Sequence, residues 1–220
     1  PNSRWYSGQG IYRDAWLLTG DRLHISQDGL HVTTLDCSEE LAQIEVTADV
    51  WNEGPSAREG YAELTVLDGS GKVVAERKAR FYADANGKVL VRQRLTLDKP
   101  NLWDVDSPNL YSVKCRLTDR GTGETVDCEE AAFGIRKLQL DSKYGLRING
   151  RAVKLKGGCV HHDNAFLGAV SVEDAEVRRV RLHKSMGYNA IRTAHNPPST
   201  ALLNACDRLG LLVMDEFTDI

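Results

Sequence analysis

Three short apolar runs in the last third of the chain each end abruptly in polar side chains that can do chemistry. The runs cover residues 152–160, 189–191 and 211–214, and helical patterns separate them. The polar residues that follow them are His161, His162 and Asp163, then Arg192, His195 and Asn196, then Asp215 and Glu216. Parallel strands joined by helices place their C-terminal ends on one rim, and chemistry in an α/β barrel occurs at that rim. The pattern therefore predicts part of a polar pocket.

The chain before residue 137 has a different pattern, with alternating apolar and polar residues at 41–50, 61–67, 89–97 and 110–117. Period-two alternation is typical of half-buried strands. Turn signals at 68–71, 86–87 and 121–123 separate these segments, and the first and last of them look like hairpin connections. We predict an antiparallel β-sandwich of immunoglobulin type over residues 22–136. Residues 1–21 fit it less well, although 10–18 has the pattern of one strand.

Residues 137–220 alternate between strand and helix patterns. Asn149-Gly150 predicts a hairpin before the first parallel strand, and Ser171 with Asp174 forms a capping-box pattern for a first helix. The apolar face of that helix is predicted to contain Ala175, Val180, Leu182 and Met186. A second helix is predicted from Ser199 to Leu209, and Gly210 ends it. Three strands are less than half of an eight-stranded barrel, so the expectation is a truncated barrel and a fragment of a longer protein.

Composition and charge limit the classes of partner. The chain has 220 residues, 41% of them apolar, and a net charge of −3, which provides no general attraction to nucleic acid. No apolar run approaches the roughly 20 residues that span a bilayer. The sequence begins at Pro1 and shows no basic-then-apolar signal pattern, which fits a mature protein and an excised piece equally well. The sequence therefore does not indicate the cellular compartment.

The five cysteines have no CxxC spacing, which favours free buried thiols over disulfides or a zinc site. Cys115 and Cys128 are the pair placed to face each other across neighbouring strands.

The residues after the first run allow three interpretations. His161 and Asp163 share a face of an extended segment while His162 points away, so the first two suit hydrogen bonds to a substrate hydroxyl. There are two alternatives: a metal site, and a pair of polar loop residues that hydrogen-bond only to each other. The adjacent spacing of the histidines argues against the metal, because barrel metal sites often use two histidines two residues apart.

The second and third runs supply a cation and two acids. Arg192 offers planar, paired donors that suit a carboxylate, and His195 precedes a stiff Asn196-Pro197-Pro198 turn that suits either recognition or helix capping. Asp215 and Glu216 are neighbours and point to opposite faces, so they cannot act together as a catalytic pair on one scissile bond. We expect at most one of them to line the pocket and both to support Arg192 or a histidine.

The sequence resembles glycoside hydrolase family 2, which includes β-galactosidases, β-glucuronidases and β-mannosidases. The resemblance is carried by LKGGCVHHD at 155–163, NAIRTAHNPP at 189–198 and CDRLGLLVMDE at 206–216, which look like the opening of the family's catalytic barrel. Upstream, residues 2–17 resemble the end of its jelly-roll domain, and 102–111 with 133–136 resemble its immunoglobulin-like domain. The whole chain is covered in the family's order.

The resemblance implies a division into a jelly-roll tail at 1–21, a sandwich at 22–136 and the start of a TIM barrel at 137–220. It implies a carbohydrate substrate bound by His161, Asp163, His195 and Asn196, with Arg192, Asp215 and Glu216 in support. In the family, the acid/base Glu follows the fourth strand and the nucleophile Glu follows the seventh. Both positions lie beyond Ile220, so no residue here takes either role and the chain alone is expected to be inactive.

The sequence departs from the family's large bacterial β-galactosidases at two places. His162 stands where they have Glu, and the residues after 214 lack their acidic-His pair for magnesium, so we expect neither that metal nor a cofactor. Two other functions are weighed beside a retaining glycosidase. One is a structural or protein-contact module, whose open strand edges favour self-association. The other is a metal-dependent barrel hydrolase that uses His161, His162 and His195.

Overall fold

The computed structural model describes residues 10–217 and contains two packed regions. The first is built from seven antiparallel strands, which are β1 (Leu23–Cys37), β2 (Leu41–Asn52), β3 (Arg58–Leu67), β4 (Val73–Ala83), β5 (Gly87–Asp98), β6 (Tyr111–Asp119) and β7 (Thr125–Phe133). They form one sheet in the order β1-β2-β5 and another in the order β4-β3-β6-β7. The two sheets enclose a single apolar core, so this region is a β-sandwich.

The alternation in the sequence explains how the sandwich packs. In β2 every second residue is buried to 1% exposure or less, while the residues between them face outward; the buried set is Ala42, Ile44, Val46, Ala48 and Val50. The turns at 68–72 and 120–124 close hairpins within one sheet, as predicted. The turn at Asn86-Gly87 instead crosses between the sheets. The buried Asn52 donates to the carbonyls of Ala83 and Asp84 on that crossing.

The second region begins with a small antiparallel sheet, formed by β8 (Leu138–Asp141), β9 (Gly145–Ile148) and β10 (Arg151–Ala152). A parallel unit follows, formed by β11 (Gly157–Val160), α1 (Glu173–Ser185), β12 (Ala190–Thr193), α2 (Thr200–Leu209) and β13 (Leu212–Met214). The predicted Asn149-Gly150 turn joins β9 to β10. The first parallel strand starts only at Gly157, because the preceding residues leave the hairpin as an irregular exposed segment. Neither helix is long and apolar enough to cross a membrane.

The two regions meet at the amino ends of the parallel strands. Trp103, from the loop before β6, packs with Val105 and Ile148, and its indole N–H donates to the carbonyl of Asp207 at 2.9 Å. Lys184 donates to the carbonyls of Val105 and Gly210. Gly210 ends α2 at φ +76°, and a Cβ there would lie 2.3 Å from the carbonyl oxygen of Val105. Only glycine satisfies both the left-handed turn and this close approach.

Two predictions about α1 are wrong. Ser171 does not cap it, because Val172 occupies the N-cap without a side-chain bond, and the Ser171 hydroxyl hydrogen-bonds instead with the side chains of Glu176 and Ser199. The predicted apolar face is wrong at Leu182 and Met186, which are 45% and 61% exposed, and right at Val180, which is 0% exposed. The buried residues of α1 are Glu176 and Val180.

The second helix matches its prediction more closely. Ser199 caps α2 by accepting the N–H of Leu202, and the buried face contains Leu202, Ala205 and Cys206.

The segment before the sandwich and the cysteines also differ from expectation. Residues 10–22 contain no strand, and residues 1–9 lie outside the described part of the chain. All five cysteines are free. Cys128 pairs in register with Arg116 and Cys115 pairs with Glu129, so the two thiols lie one residue out of register, with Cys115 buried and Cys128 exposed.

Candidate functional site

The carboxyl ends of β11, β12 and β13 form one polar rim. The strands are adjacent and parallel, and Cys159, Arg192 and Met214 are register partners across them. One face of this sheet packs on α1 and α2 through Val160, Ile191 and Val213. Its other face carries Cys159, Arg192 and Met214, and the Arg192 side chain is 41% exposed there. The strands therefore present Arg192 on the open face, close to the rim.

Arg192 and Glu216 form the central contact of the rim. Arg192 Nε donates to Glu216 Oε1 at 2.5 Å, and a terminal guanidinium nitrogen pairs with the same oxygen. The other terminal nitrogen lies 3.4 Å from the Sγ of Cys159. Hydrogen bonds to Cys159 and Glu216 raise the pKa of Arg192 above its ordinary value. A permanent positive charge is thus fixed on the open face of the sheet.

Two histidines lie beside this ion pair. The Nδ1 atom of His195 is 3.5 Å from Glu216 Oε2. The rings of His161 and His195 have centroids 6.1 Å apart and are tilted by 41°. A cis peptide joins Ala194 to His195. The structure therefore brings together four of the sequence-predicted site residues, namely His161, Arg192, His195 and Glu216.

Asp215 takes a different direction from Glu216. Thr193, which is 3% exposed, donates its hydroxyl to Asp215 Oδ1 at 3.2 Å and accepts the backbone N–H of Glu216 at 3.2 Å. The two neighbouring acids therefore contact different residues of β12. Glu216 pairs with Arg192 on the open face of the sheet, whereas Asp215 holds the strand end through Thr193.

Asn196 and Asp163 lie at the margins of this cluster. Asn196 lines a small cavity of about 20 Å³ beneath the rim, together with His161 and Glu176. That volume is room for about one water molecule. The backbone carbonyl of Asp163 accepts a hydrogen bond from Arg179.

Glu176 and Arg179 are supporting residues that the sequence reasoning missed. Arg179 donates to the carbonyls of His161, at 3.1 Å, and Asp163, which clamps the loop after β11. Glu176 is 3% exposed, pairs with Arg179 at 3.5 Å and accepts from Ser171. The available signal was spacing, because Glu176 lies four residues before the fully buried Val180 and so shares its helix face.

The geometry does not gather the histidines for metal binding. His162 turns away from His161, and its ring stacks on Tyr12 with centroids 5.9 Å apart. Within residues 10–217 no group of three or more His, Cys, Asp or Glu side chains is placed to hold a metal ion. What the rim offers is a fixed guanidinium, imidazole rings and carboxylates, a set suited to hydrogen bonds with hydroxyls and to orienting a carboxylate.

A β-sandwich that leads into three parallel strands joined by helices, with this polar rim, is the arrangement of an immunoglobulin-like domain followed by the first strands of an α/β barrel. The chain belongs to glycosyl hydrolases family 2. The family model with that description matches residues 23–136, and the model of the family's TIM barrel domain matches 141–219. The predicted family and fold class, a sandwich followed by the first strands of an incomplete barrel, are confirmed.

Curated relatives match along the whole chain. Beta-galactosidase BoGH2A of Bacteroides ovatus is 39% identical over 220 residues, which are 100% of this chain and 26% of that protein. The beta-glucuronidase of Bacteroides fragilis is 30% identical over 94% of this chain and 30% of its own length. The chain thus spans between about a quarter and a third of these relatives.

Solved structures agree with the sequence relatives. A glycosyl hydrolase family 2 member from Bacteroides cellulosilyticus matches with a TM-score of 0.93 and 40% identity, over 97% of this chain and 29% of that one. A Bacteroides uniformis beta-glucuronidase matches with a TM-score of 0.89 and 30% identity, over 99% of this chain and 27% of that one.

Proposed function

We propose that this chain is part of a retaining exo-β-glycosidase and that it supplies one side of the sugar-binding pocket. The observation that carries the proposal is the Arg192–Glu216–His195 cluster at the carboxyl rim of a family 2 barrel segment. The named relatives are a beta-galactosidase and a beta-glucuronidase, so the substrate class is a β-glycoside. The sugar itself differs between these relatives.

We propose separate roles for the rim residues. His161, Asp163, His195 and Asn196 bind sugar hydroxyls, because imidazole, amide and carboxylate groups match hydroxyl donors and acceptors. Arg192 orients the nucleophilic carboxylate and lowers its pKa by placing a positive charge beside it. Glu216 holds Arg192 and His195 in place, and Asp215 holds the end of β12 through Thr193.

The chemistry itself requires two further carboxyl groups. In a retaining mechanism one Glu protonates the glycosidic oxygen while another attacks the anomeric carbon, and water then hydrolyses the glycosyl-enzyme intermediate. We place both Glu residues outside residues 1–220, by resemblance to the family. The 220-residue chain is therefore proposed to bind and orient but not to hydrolyse.

We also propose the domain division. Residues 1–21 form the tail of a jelly-roll domain, 22–136 the immunoglobulin-like domain and 137–220 the start of the barrel. The second and third parts of this division are supported by the family matches at 23–136 and 141–219 and by the sandwich strands, which run from Leu23 to Phe133. Expression of residues 22–136 alone tests it: a cooperative unfolding transition is expected, and an unfolded product would contradict the boundaries.

Hydrolysis of nitrophenyl β-glycosides tests the activity. The longer protein that contains this chain is expected to release nitrophenol from at least one β-galactoside or β-glucuronide, and the 220-residue chain from none. In the longer protein, Arg192→Gln is expected to lower kcat/KM by at least about 100-fold, since a charged contact in the pocket is lost. Turnover by the purified 220-residue chain that persists at constant specific activity through further purification would contradict the assignment.

We further propose that the isolated 220-residue chain self-associates. Within residues 10–217, β11 and β13 pair on one side only, and Met214 and Phe217 are 58% and 88% exposed. Open strand edges beside exposed apolar groups favour pairing between copies. Light scattering is expected to show species larger than a monomer, and a clean monomer would contradict this proposal.

A further inference from the structure

Within residues 10–20, the side chains that hydrogen-bond to or stack on the rest of the described chain are those of Tyr12 and Arg13. Among residues 10–20 every residue is exposed except Tyr12 and Arg13, which are half-buried. Both reach the carboxyl rim of the parallel strands, more than 140 residues further along the chain. Two adjacent half-buried side chains in an otherwise exposed segment mark a specific contact, and the loops that they contact are those of the proposed sugar site.

Arg13 contacts the loop after β12. One terminal nitrogen donates to the carbonyl of Pro197 at 2.7 Å and the other donates to the carbonyl of Pro198 at 3.3 Å. Hydrogen bonds from a charged donor are stronger than neutral ones, and a planar fork fixes direction as well as distance. Arg13 therefore holds the two residues that directly follow His195 and Asn196.

Tyr12 contacts the loop after β11. Its ring stacks on the ring of His162, with an interplanar angle of 26°, and the Arg13 guanidinium lies 5.8 Å from the centroid of the Tyr12 ring. His162 is thereby occupied with the segment before the sandwich, while its neighbour His161 lies beside His195. One dipeptide thus contacts both loops that frame the pocket.

The loop after β12 has few bonding groups of its own. Pro197 and Pro198 have no N–H, so this part of the loop cannot hold itself through backbone donors. Its neighbour loop after β11 has a clamp from within the barrel, because Arg179 on α1 donates to the carbonyls of His161 and Asp163. The equivalent clamp on the loop after β12 is Arg13, from outside the barrel.

We infer that Arg13 is a positioning residue for the substrate site, and this inference rests on the proposed function. By fixing Pro197 and Pro198 it sets the position of His195 and Asn196 relative to Glu216. Tyr12 fixes His162 in the same way and so limits movement of the His161 loop. The segment before the sandwich therefore completes the framework of a sugar pocket that the barrel carries.

The test compares variants of one type at opposite ends of the parallel strands. Arg13→Gln removes the guanidinium that donates to both carbonyls at the carboxyl rim. Arg13→Lys keeps a positive charge and a single donor group. Lys184→Gln is the matched control, because Lys184 also donates to two carbonyls, those of Val105 and Gly210, at the amino end. It removes a similar number of bonds without touching the rim loops.

The first readout is hydrogen exchange of the 220-residue chain, measured by mass spectrometry. In Arg13→Gln, peptides covering residues 194–203 are expected to exchange about tenfold faster, because two charge-assisted bonds are lost. Peptides within α1 keep their rate. Arg13→Lys is expected to restore most of the protection, and Lys184→Gln is expected to leave residues 194–203 unchanged. Unchanged exchange at 194–203 in Arg13→Gln would overturn the inference.

The second readout is steady-state kinetics of the longer protein with a nitrophenyl β-glycoside. Loss of position in groups that bind the sugar in ground and transition states alike raises KM, so we expect about a tenfold rise in KM in Arg13→Gln with kcat within about threefold. Arg13→Lys is expected to recover most of the affinity. An unchanged KM in Arg13→Gln, or an equal rise in Lys184→Gln, would overturn the positioning role. If no β-glycoside is hydrolysed by the unsubstituted protein, the proposed function fails, and hydrogen exchange still decides whether Arg13 holds the loop.

Discussion

The sandwich and the barrel segment differ in how many faces their sheets bury. In the sandwich two sheets close on each other; their shared core contains buried residues from six of the strands, and partly buried residues of β7 pack against it. In the barrel segment one sheet of three strands buries one face against two helices and leaves the other face open. The closed region is thus built for stability, whereas the open face of the other carries Arg192 and Glu216.

The difference between the closed sandwich and the open sheet shows why the candidate site lies in the barrel segment. A polar group at a strand end can hydrogen-bond to neighbouring loops without being buried in a core. Its desolvation therefore costs little free energy. The sandwich contributes to the site indirectly, through Trp103 and Val105 at the amino ends of the strands. The segment that precedes the sandwich contributes at the carboxyl ends, through Tyr12 and Arg13.

The largest difference is expected from one substitution made in both cores. Val113 in β6 and Val180 in α1 are both 0% exposed. Val113→Ala is expected to lower the free energy of unfolding by roughly 2–3 kcal/mol, from lost burial plus a cavity. Val180→Ala is expected to cost about 1 kcal/mol less, because alanine favours a helix and disfavours a strand. Urea denaturation followed by circular dichroism measures both, and equal or reversed costs would break the comparison.

The next largest effect concerns an ion pair in each region. Arg58 Nε donates to Asp119 at 2.8 Å in the sandwich, where the Asp119 side chain is 8% exposed. Asp119→Asn is expected to cost about 1–3 kcal/mol of stability. Glu216→Gln is expected to cost less than about 1 kcal/mol, because the Arg192 side chain is 41% exposed and solvent screens the pair. A larger stability loss in Glu216→Gln would show that the rim pair serves the fold.

Asp119 also predicts a pH dependence. Burial raises the pKa of Asp119, but the N–H groups of Thr122 and Gly121 and the Arg58 guanidinium outweigh it, so that pKa lies below its ordinary value of 3.8. A carboxyl with a lowered folded pKa stabilises the fold fully above the ordinary value, and the contribution is lost as the pH falls through the folded value. Stability is therefore expected to fall as the pH drops below about 4.

Urea midpoints measured across that range test this expectation. They are expected to fall less steeply with acid in Asp119→Asn than in the unsubstituted chain. The control is Glu39→Gln, which removes an exposed carboxyl of the sandwich and is expected to keep the unsubstituted slope. An acid slope that is unchanged in Asp119→Asn would contradict the assignment.

A smaller effect is expected in the reactivity of two buried thiols. Cys115 in the sandwich and Cys206 in α2 are 0% and 1% exposed, and burial raises the pKa of each to about 12. Because the two thiols are almost equally buried and have similarly raised pKa values, a difference between their alkylation rates reports how often each region opens. Cys206 is expected to react about tenfold faster than Cys115, and the exposed Cys128 and Cys159 before either. Peptide mapping after iodoacetamide treatment measures this order, and a faster Cys115 would contradict it.

The smallest effect is expected on the outer surface of α1. Leu182 is 45% exposed, so Leu182→Gln is expected to change the free energy of unfolding by no more than about 0.5 kcal/mol. Urea denaturation measures the change, and a loss above about 1 kcal/mol would mean that Leu182 is buried in solution.

Features set by local periodicity were predictable from the sequence. Strands β2, β3, β5 and β6 bury residues on the face toward the core and leave the residues between them partly or fully exposed. Because of this alternation, each was predicted from the sequence. Strand β4 lies at a sheet edge, and most of its residues are exposed, so it has little alternation to detect. The rim was also predictable, because the direction of parallel strands decides where their ends meet.

Features that depend on partners distant in sequence were not predictable. Ser171 has the spacing of a capping box, yet Glu176 and Ser199 offer its hydroxyl better partners once the helices pack. The contact between Arg13 and Pro197 joins residues 184 positions apart, and no local pattern signals it. Cys115 and Cys128 were misplaced by one residue of register, which in a strand is enough to move a side chain to the other face.

The central claim is that the rim belongs to a retaining β-glycosidase, and the anomeric form of the first product tests it most directly. Proton NMR of the longer protein acting on an aryl β-glycoside resolves the α and β anomers of the released sugar before they interconvert. The account predicts that the β anomer appears first and the α anomer follows by mutarotation. Initial release of the α anomer, or no hydrolysis of any β-glycoside, would contradict it.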